Sequence, residues 1–312
     1  MYNIQLLNKI AKCGTQIFDE NYTVSDAVTA PEGIMVRSAA MHDMEFGKEL
    51  LAIARAGAGV NNIPLDKCSE QGIVVFNTPG ANANAVKELA VCALLLASRK
   101  IVDGINWAST LTEDVAKAVE KGKSAFVGPE IAGKTLGIIG LGAIGAQLAN
   151  TAVHLGMNVY GYDPFITVDA AWRLSKSVKH AKALDDIFAN CDYISVHVPS
   201  TPDTKGMINE KSISAMKDGV RILNLARADL VVAADVKKAL ESGKVASYVT
   251  DFPTEEVIGV PGIIAIPHLG ASTPESEDNC AVMAAEELKT YIETGNIKNS
   301  VNFPEAFIPY SG

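Results

Sequence analysis

The length, composition and charge of the chain exclude several classes of protein. Its 312 residues are 48% hydrophobic and 20% charged, which is typical of an ordinary globular protein with two domains. The net charge of −9 argues against a surface that binds nucleic acid or an anionic membrane. The five cysteines are scattered, and the longest apolar run, Leu89 to Ala97, is too short to span a bilayer. We therefore expect reduced thiols, no metal site and a cytoplasmic location.

The first part of the chain, up to about residue 95, alternates strand-like and helix-like segments. Strands are predicted at 3–7, 33–37, 51–56 and 73–77, with short helices at 44–50 and 64–71. This alternation is typical of a parallel sheet covered on both faces. Because this part has a sheet of its own but no G-x-G-x-x-G turn, we predict that it is the substrate-binding domain.

The stretch from Thr135 to Asp163 predicts a strand, a glycine turn, a helix and a second strand that ends at an acid. Gly140, Gly142 and Gly145 have G-x-G-x-x-G spacing, and they suit a tight turn, a close approach to a pyrophosphate and close helix–strand packing. The carboxylate of Asp163 can accept hydrogen bonds from a ribose 2′-OH and would repel a 2′-phosphate. This combination predicts a site for NAD rather than NADP.

The rest of the chain continues the alternation of strands and helices. A long helix is predicted at 83–100, followed by an amphipathic helical stretch at 101–123. Strands are then predicted at 135–139, 158–162, 193–198, 220–225, 245–250 and 263–266, and helices at 143–155, 183–190, 210–217, 232–241 and 274–294. Six strands with intervening helices predict a doubly wound parallel sheet of the Rossmann type.

Taken together, these elements predict an α/β protein of two domains. We expect an NAD-binding Rossmann domain at residues 96–282 and a smaller, flavodoxin-like α/β substrate domain made of residues 1–95 and 283–312. A small ligand is expected in a cleft where two such domains meet.

Three positions that follow strands of the second sheet could take part in chemistry. Arg227 offers a planar fork that suits a carboxylate, although an arginine that merely reaches into solvent is the plainer interpretation. Histidine is a common general base, and His268 could accept the proton of a hydroxyl group as hydride leaves its carbon. Glu255 or Glu256 could hold that histidine and raise its basicity, or could belong to a solvated acidic loop. The other histidines have plainer interpretations.

In these and other segments the chain resembles the D-isomer-specific 2-hydroxyacid dehydrogenases, and among them D-3-phosphoglycerate dehydrogenases of a short type. The order and joint presence of the matching segments are more specific than any one of them. The segments are VRSAA at 36–40, RAGAGVNNI at 55–63, FNTPGANANAVKELA at 76–90, GKTLGIIGLGAIG at 133–145, GYDP at 161–164, VHVP at 196–199, NLARADLV at 224–231, TDFPTEE at 250–256 and PHLGAST at 267–273.

The resemblance implies a role for each candidate residue. Arg227 would bind the substrate carboxylate and polarise the C2 oxygen, and His268, held by a glutamate, would be the acid/base. The ungapped spacing from Arg227 selects Glu256, whereas an alignment on Phe252 selects Glu255; Glu256 is preferred. The implied substrate-binding residues are Arg37, Arg55, Ala56, Gly57, Ala58 and Gly59, with the two arginines as candidates for holding a phosphate. The cofactor-binding residues, including those of the glycine turn, are Thr78, Gly140, Gly142, Ala143, Ile144, Gly145, Asp163, Val198, Leu225, Ala226, Asp251, Gly270 and Ala271.

The activity implied by the resemblance is NAD-dependent oxidation of 3-phospho-D-glycerate to 3-phosphohydroxypyruvate, the first step of serine biosynthesis. A homodimer with a contact in the region 100–123 is also implied, with a small-molecule substrate and neither nucleic acid nor membrane as partner. The alternatives are a dehydrogenase or reductase of another 2-hydroxyacid, such as glycerate, hydroxypyruvate, glyoxylate or D-lactate, and an NAD-sensing binding protein.

Overall fold

The fold was analysed in a computed structural model, which describes residues 1–309, with the side chain of Asp169 left aside. In chain order the strands and α-helices of these residues are β1 (Tyr2–Leu6), α1 (Lys12–Thr15), β2 (Tyr22–Ser25), β3 (Gly33–Val36), β4 (Ala52–Arg55), α2 (Leu65–Glu70), β5 (Val74–Phe76), α3 (Ala83–Ser98), α4 (Ile101–Ala108), α5 (Val115–Gly122), β6 (Thr135–Ile139), α6 (Ala143–His154), β7 (Asn158–Tyr162), α7 (Val168–Trp172), β8 (Val178–His180), α8 (Leu184–Asn190), β9 (Tyr193–Val196), α9 (Glu210–Ser214), β10 (Val220–Asn224), α10 (Ala233–Glu241), β11 (Val245–Thr250), β12 (Ile263–Ala265) and α11 (Pro274–Thr294).

The chain divides into two compact units. The first consists of Met1–Ala85 and Ala271–Gly312, and the second of Val86–Gly270. The boundaries predicted from the sequence, 95/96 and 282/283, lie inside α3 and α11, and residues 310–312 of the predicted substrate domain lie outside the described residues. The function of each unit stays a prediction at this point.

The first unit contains a five-stranded parallel sheet in the order β2-β1-β3-β4-β5. Strand β3 and the first three residues of β4 are buried and carry no polar side chain, as expected for a parallel sheet with both faces covered. Helix α11 covers one face, because Ala281, Ala284, Ala285 and Leu288 form a continuous apolar stripe at helical spacing. The strand order matches the predicted flavodoxin-like fold.

The second unit contains a seven-stranded parallel sheet in the order β12-β11-β10-β9-β6-β7-β8. Helices α3 and α6 pack on one face, and α8, α9 and α10 pack on the other. The direction of strand order reverses between β6 and β9, and ligands of such sheets bind outside the carboxyl ends of the strands near this reversal. The doubly wound α/β fold predicted from the sequence is confirmed.

Several local predictions were wrong. The predicted helix at 44–50 is an irregular segment with a single turn at 48–49, where the Leu50 N–H donates to the Gly47 carbonyl oxygen at 3.3 Å. The stretch 101–123 is two helices, because the Ser109 and Thr110 hydroxyls donate to carbonyl oxygens of the preceding turn and end α4. Strands β2 and β8 were not predicted. Within the part of the chain that the structure describes, no helix has the length and apolar character needed to cross a membrane.

Candidate cofactor and active site

The turn between β6 and α6 has the geometry that its glycines predict. Gly140 has a φ of 93°, which favours glycine, and its N–H donates to the Tyr162 carbonyl oxygen at 2.8 Å. A Cβ on Gly145 would lie 1.9 Å from the Gly140 carbonyl oxygen, so α6 can approach the turn only with glycine there. A Cβ on Gly142 would meet no heavy atom within 4 Å. The backbone of Gly142, at the N-terminus of α6, therefore borders open space that suits a pyrophosphate.

Asp163 lies directly after β7 and is fixed by two backbone groups. One carboxylate oxygen, Oδ2, accepts a hydrogen bond from the Leu141 N–H at 2.8 Å, and Oδ1 accepts one from the Phe165 N–H at 2.9 Å. Because Leu141 belongs to the glycine turn, the acid is held next to the turn before any ligand is present. This placement suits the predicted contact with a ribose.

The turn after β10 presents Arg227. The side chain of Asn224, which is fully buried, donates to the Arg227 carbonyl oxygen at 2.8 Å and accepts from the Ala226 N–H at 3.2 Å. Arg227 itself is exposed, and its Nη1 donates to the Ala226 carbonyl oxygen at 2.6 Å. The exposed guanidinium is therefore carried by a turn that Asn224 holds in place, a role that no pattern in the sequence predicts.

Asp251 lies after β11, the strand next to β10, and is almost completely buried. Burial raises the pKa of its carboxyl group, while the charges of His268 and Arg227 and a hydrogen bond from the Gly270 N–H oppose the rise. Its Oδ1 has no hydrogen-bond partner within residues 1–309.

Thr78, in the first unit, likewise has a buried hydroxyl oxygen without a partner among these residues. Both residues were predicted to contact the cofactor, and such orphaned polar atoms fit a polar ligand.

His268 follows β12, the edge strand beside β11, in a strained left-handed conformation with a φ of 47°. Its backbone N–H donates to the carbonyl oxygens of Asp251, at 3.0 Å, and Ile266, at 2.9 Å. The exposed imidazole packs on the Phe252 ring, with ring centroids 4.8 Å apart. The end of the sheet thus brings Arg227, Asp251 and His268 into one electrostatic cluster.

The structure does not bring either candidate glutamate to His268. Glu255 and Glu256 are exposed on a turn after β11, and among the described residues neither forms a hydrogen bond or ion pair with His268. The reason lies in the next residue, because Val257 is buried in the core and turns the two carboxylates towards solvent. The acid that acts electrostatically on His268 here is Asp251. A contact between His268 and a glutamate stays a prediction.

His197 lies at the carboxyl end of β9, next to the reversal of strand order. Its Nε2 is 2.7 Å from the Ser195 hydroxyl, and its buried Nδ1 has no partner within the described chain. Burial lowers the pKa of this imidazole to about 4, so it is neutral at physiological pH. Sequence reasoning gave it no role beyond lining a cleft.

In the first unit, the loop 55–59 is held by hydrogen bonds to neighbouring segments. Gly57 has a φ of 148°, a backbone conformation that favours glycine, and the Arg55 guanidinium lies over it. Arg55 Nε donates to the Arg37 carbonyl oxygen at 3.0 Å. The loop is also held from β5, because the Asn77 side chain donates to the Ala58 carbonyl oxygen at 2.6 Å and the Thr78 N–H donates to that of Gly57 at 3.2 Å.

Arg37, the other candidate for holding a phosphate, has a partner that the sequence did not predict. Its Nη2 lies 2.7 Å from Oε1 of Glu277, in the first turns of α11. The two side chains are 41% and 43% exposed, so the ion pair is a weak surface interaction that an anionic ligand could displace.

The fold and the glycine turn define the second unit as a dinucleotide-binding domain of the doubly wound class. Residues 91–270, more than half of the chain, match the family model described as "D-isomer specific 2-hydroxyacid dehydrogenase, NAD binding domain". The chain therefore belongs to the D-isomer specific 2-hydroxyacid dehydrogenase family. The cofactor predicted from the glycine turn and Asp163, NAD, is confirmed by this match.

Comparison with known proteins agrees with this assignment. The chain is similar to the D-3-phosphoglycerate dehydrogenase of Archaeoglobus fulgidus, with 35% identity over 286 residues, which are 88% of this chain and 52% of that protein. It is also similar to the crystal structure of an NAD⁺-bound 3-phosphoglycerate dehydrogenase from Entamoeba histolytica, with 27% identity, a TM-score of 0.76 and coverage of 97% of this chain and 99% of that one. The holo D-mandelate dehydrogenase of Rhodotorula graminis shares the fold, with a TM-score of 0.83, 23% identity and coverage of 98% and 99%. The chain spans about half the length of the curated relatives it matches.

Proposed function

We propose that this protein catalyses the NAD-dependent oxidation of 3-phospho-D-glycerate to 3-phosphohydroxypyruvate. The observation that carries the proposal is the cluster of Arg227, Asp251 and His268 at the carboxyl ends of three neighbouring strands of an NAD-binding domain. The substrate is supported by the curated relatives at 32–35% identity, which are named D-3-phosphoglycerate dehydrogenases.

In this proposal His268 accepts the proton of the substrate hydroxyl, since its exposed imidazole lies at the end of the sheet and an imidazole is the commonest general base. NAD⁺, when bound, supplies the acceptor for the hydride that leaves the same carbon. The guanidinium of Arg227 holds the substrate carboxylate and stabilises negative charge on the C2 oxygen. The carboxylate of Asp251 interacts electrostatically with His268 in the same cluster.

The first unit supplies the candidate anion-binding groups. The Gly57 N–H donates to the Arg55 carbonyl oxygen, and the N–H groups of Ala58 and Gly59 that follow it suit a carboxylate. Arg55 and Arg37 provide positive charge beside this loop. We assign the substrate carboxylate to this loop and the phosphate to the two guanidinium groups.

One observation favours a second candidate within the same chemistry. The Glu277 carboxylate neutralises Arg37, the first residue proposed for the phosphate. A carboxylate in this place would repel a phosphate and would accept a hydrogen bond from an unmodified hydroxyl group. D-glycerate, which carries a hydroxyl where 3-phospho-D-glycerate carries the phosphate, is therefore the second candidate substrate.

The experiment that tests the proposal is a measurement of initial rates of NADH formation. The substrates are 3-phospho-D-glycerate, D-glycerate and D-lactate, with L-glycerate as the control for the stereochemistry. We expect the highest kcat/KM with 3-phospho-D-glycerate and no turnover of L-glycerate. A preference for D-glycerate would favour the second candidate, and no turnover of any substrate would reject both.

A homodimer and a cytoplasmic location belong to the same proposal. The helices α4 and α5 support a contact in the region 100–123, since Ile105 is 60% exposed and Val115 48% exposed. The cysteines of the chain are free thiols, which suits a reducing compartment. Light scattering of the wild-type protein and of Ile105→Glu tests the dimer. We expect the wild type to be a dimer and Ile105→Glu to shift towards monomer. A monomeric wild type would reject the proposed dimer.

A further inference from the structure

Glu287 is a buried carboxylate of the first unit that the proposed chemistry does not use. It lies on α11, is 8% exposed and lines a cavity of about 220 Å³ together with Asn299 and Lys298. Its Oε1 accepts a hydrogen bond from the Asn299 side chain at 2.6 Å, and its Oε2 has no partner within residues 1–309. Because this buried oxygen is unpaired, the groups around Glu287 are sensitive to the charge of its carboxyl group.

The environment of Glu287 brings its titration into the neutral range. Burial raises the pKa of its carboxyl group to about 7. The hydrogen bond from Asn299 and the positive charge of Lys298, on the segment after α11, oppose the rise, and the negative charge of Glu286 on α11 adds to it. Glu287 therefore changes its charge near physiological pH.

Asn299 connects this carboxylate to the sheet. Residues 299–302 run along the edge strand β5, where Ser300 forms an antiparallel bridge with Phe76 and the Val301 N–H donates to the Val75 carbonyl oxygen at 2.9 Å. Asn299 has a φ of 59°, and its carbonyl oxygen accepts from the Asn77 N–H at 3.4 Å. The segment that begins with Asn299 is thus fixed between α11 and the end of β5.

Asn77 carries the connection to the loop 55–59. Its side chain donates to the Ala58 carbonyl oxygen at 2.6 Å. Three hydrogen bonds therefore join the Glu287 carboxylate to the loop: Asn299 side chain to Glu287, Asn77 N–H to Asn299, and Asn77 side chain to Ala58. Asn77, Asn299 and Glu287 are called the Asn–Asn–Glu relay below.

We propose that the Asn–Asn–Glu relay positions the loop 55–59, so that ionisation of Glu287 tightens, and its protonation loosens, the binding of the substrate carboxylate. The effect on the substrate rests on the proposed function, which places the carboxylate at this loop. A charged acceptor binds the Asn299 side chain about twice as strongly as a neutral one, so the relay is most rigid when Glu287 is ionised. Glu287 and Asn77 act through the loop and are positioning residues.

The kinetic test is the pH profile of KM for D-glycerate, which has no group that titrates near neutrality, measured beside 3-phospho-D-glycerate. We expect the KM of the wild type to rise as pH falls through about 7. The expected rise is about 3- to 10-fold, which is the effect of losing one hydrogen bond. Glu287→Gln cannot ionise, so its KM should stay at the low-pH value throughout. Glu286→Gln, the matched change at an exposed neighbour on α11, removes a charge that raises the pKa of Glu287, so its KM should still depend on pH, with the midpoint moved to lower pH. Identical KM profiles in the wild type and Glu287→Gln would overturn the proposal.

A second readout needs no turnover. In ¹⁵N-labelled protein the backbone amide signal of Ala58 and the side-chain amide signal of Asn77 should shift with pH, with a midpoint of about 7. Lys298→Met, at an exposed position, removes a charge that lowers the pKa of Glu287 and should move this midpoint upwards even if Glu287→Gln fails to fold. Signals that titrate in a protein without dehydrogenase activity would support the relay and reject the proposed function. Turnover with signals that do not titrate would reject the relay alone.

Discussion

The Leu141 backbone N–H donates a hydrogen bond to the Asp163 carboxylate at 2.8 Å, which joins the glycine turn after β6 to the acid after β7. The second carboxylate oxygen accepts from the Phe165 N–H. Two neighbouring strands of the sheet thus hold the acid in one place, and the negative charge sits beside the turn without any contribution from a ligand. We expect this fixed charge to favour NAD over NADP.

For Asp163→Ser we therefore expect a change in cofactor preference. KM for NAD⁺ should rise about 10-fold, because a hydrogen bond between the ribose and a charged group is lost. KM for NADP⁺ should fall, because the repulsion of the 2′-phosphate is removed. Initial rates with both cofactors at a saturating hydroxyacid concentration measure the ratio. An unchanged preference for NAD⁺ in Asp163→Ser would contradict the role of this carboxylate.

Gly142 and Gly145 lie in the same turn, and the structure predicts opposite results for them. A Cβ on Gly142 meets no atom and the φ is −66°, so Gly142→Ala should fold with a free energy of unfolding within about 0.5 kcal/mol of the wild type. The same methyl group would occupy the space of the pyrophosphate, and we expect at least about a 10-fold loss of NAD⁺ affinity by calorimetry.

A Cβ on Gly145 would lie 1.9 Å from the Gly140 carbonyl oxygen, so Gly145→Ala should destabilise the domain by about 2–3 kcal/mol. Chemical denaturation of Gly142→Ala and Gly145→Ala gives their free energies of unfolding, and each variant is the control for the other. Equal stability losses in Gly142→Ala and Gly145→Ala would show that the turn is not arranged as described.

The strength of the sequence signals explains which elements could be predicted. Helix α11 was placed correctly because each of its ends has a local signal: the Thr273 side chain accepts from the Ser276 N–H, Pro274 is its first residue, and Gly295 ends it with a φ of 73°. The bounds of β6 and β7 were also correct, since the glycine turn fixes both. Strand β8 was missed because its residues, VKH, are largely exposed at the sheet edge and carry no apolar pattern.

The site was predictable only in part. Arg227 and His268 stood out because they follow strands of a doubly wound sheet, where ligands bind. The pairing of Arg37 with Glu277 joins residues far apart in the chain, and no local pattern announces it. The spacing arguments could not decide between Glu255 and Glu256, because the orientation of that turn depends on the burial of Val257.

Arg37 and Glu277 give a prediction about the substrate phosphate. Arg37→Ala should raise KM for 3-phospho-D-glycerate about 10- to 100-fold with a smaller effect on kcat, as expected for loss of a charged hydrogen bond. Glu277→Gln removes the competing carboxylate and should lower the same KM about 2- to 5-fold, a small change because the ion pair is exposed.

KM for D-glycerate, which has no phosphate, is the internal control and should change little in either variant. An unchanged or lower KM for 3-phospho-D-glycerate in Arg37→Ala would reject the phosphate assignment. A rise in KM for D-glycerate in Glu277→Gln would instead favour the second candidate substrate, because it would show that the carboxylate binds the free hydroxyl.

Glu287 predicts a specific dependence of stability on pH. The pKa of the folded state, about 7, is above the ordinary value of 4.5, so the folded protein binds more protons between these values and the free energy of unfolding falls as pH rises through this window. The total loss is of the order of 3 kcal/mol. Glu287→Gln cannot ionise and so does not lose this stability. Its free energy of unfolding, measured by urea denaturation, should therefore increase relative to that of the wild type from about pH 5 to about pH 8. If the difference in free energy of unfolding between the two proteins stays constant over this pH range, the pKa of Glu287 is not raised in the folded protein.

The most direct test of the account is the rate of NADH formation from D-2-hydroxyacids by the wild type and by His268→Asn. Asparagine tolerates the left-handed backbone conformation at this position, so the substitution removes the imidazole and leaves the loop intact. The account predicts that kcat with the preferred hydroxyacid falls by about 10²- to 10⁴-fold while the Kd for NAD⁺ is unchanged. Near-normal turnover in His268→Asn would contradict the role of His268 as the acid/base.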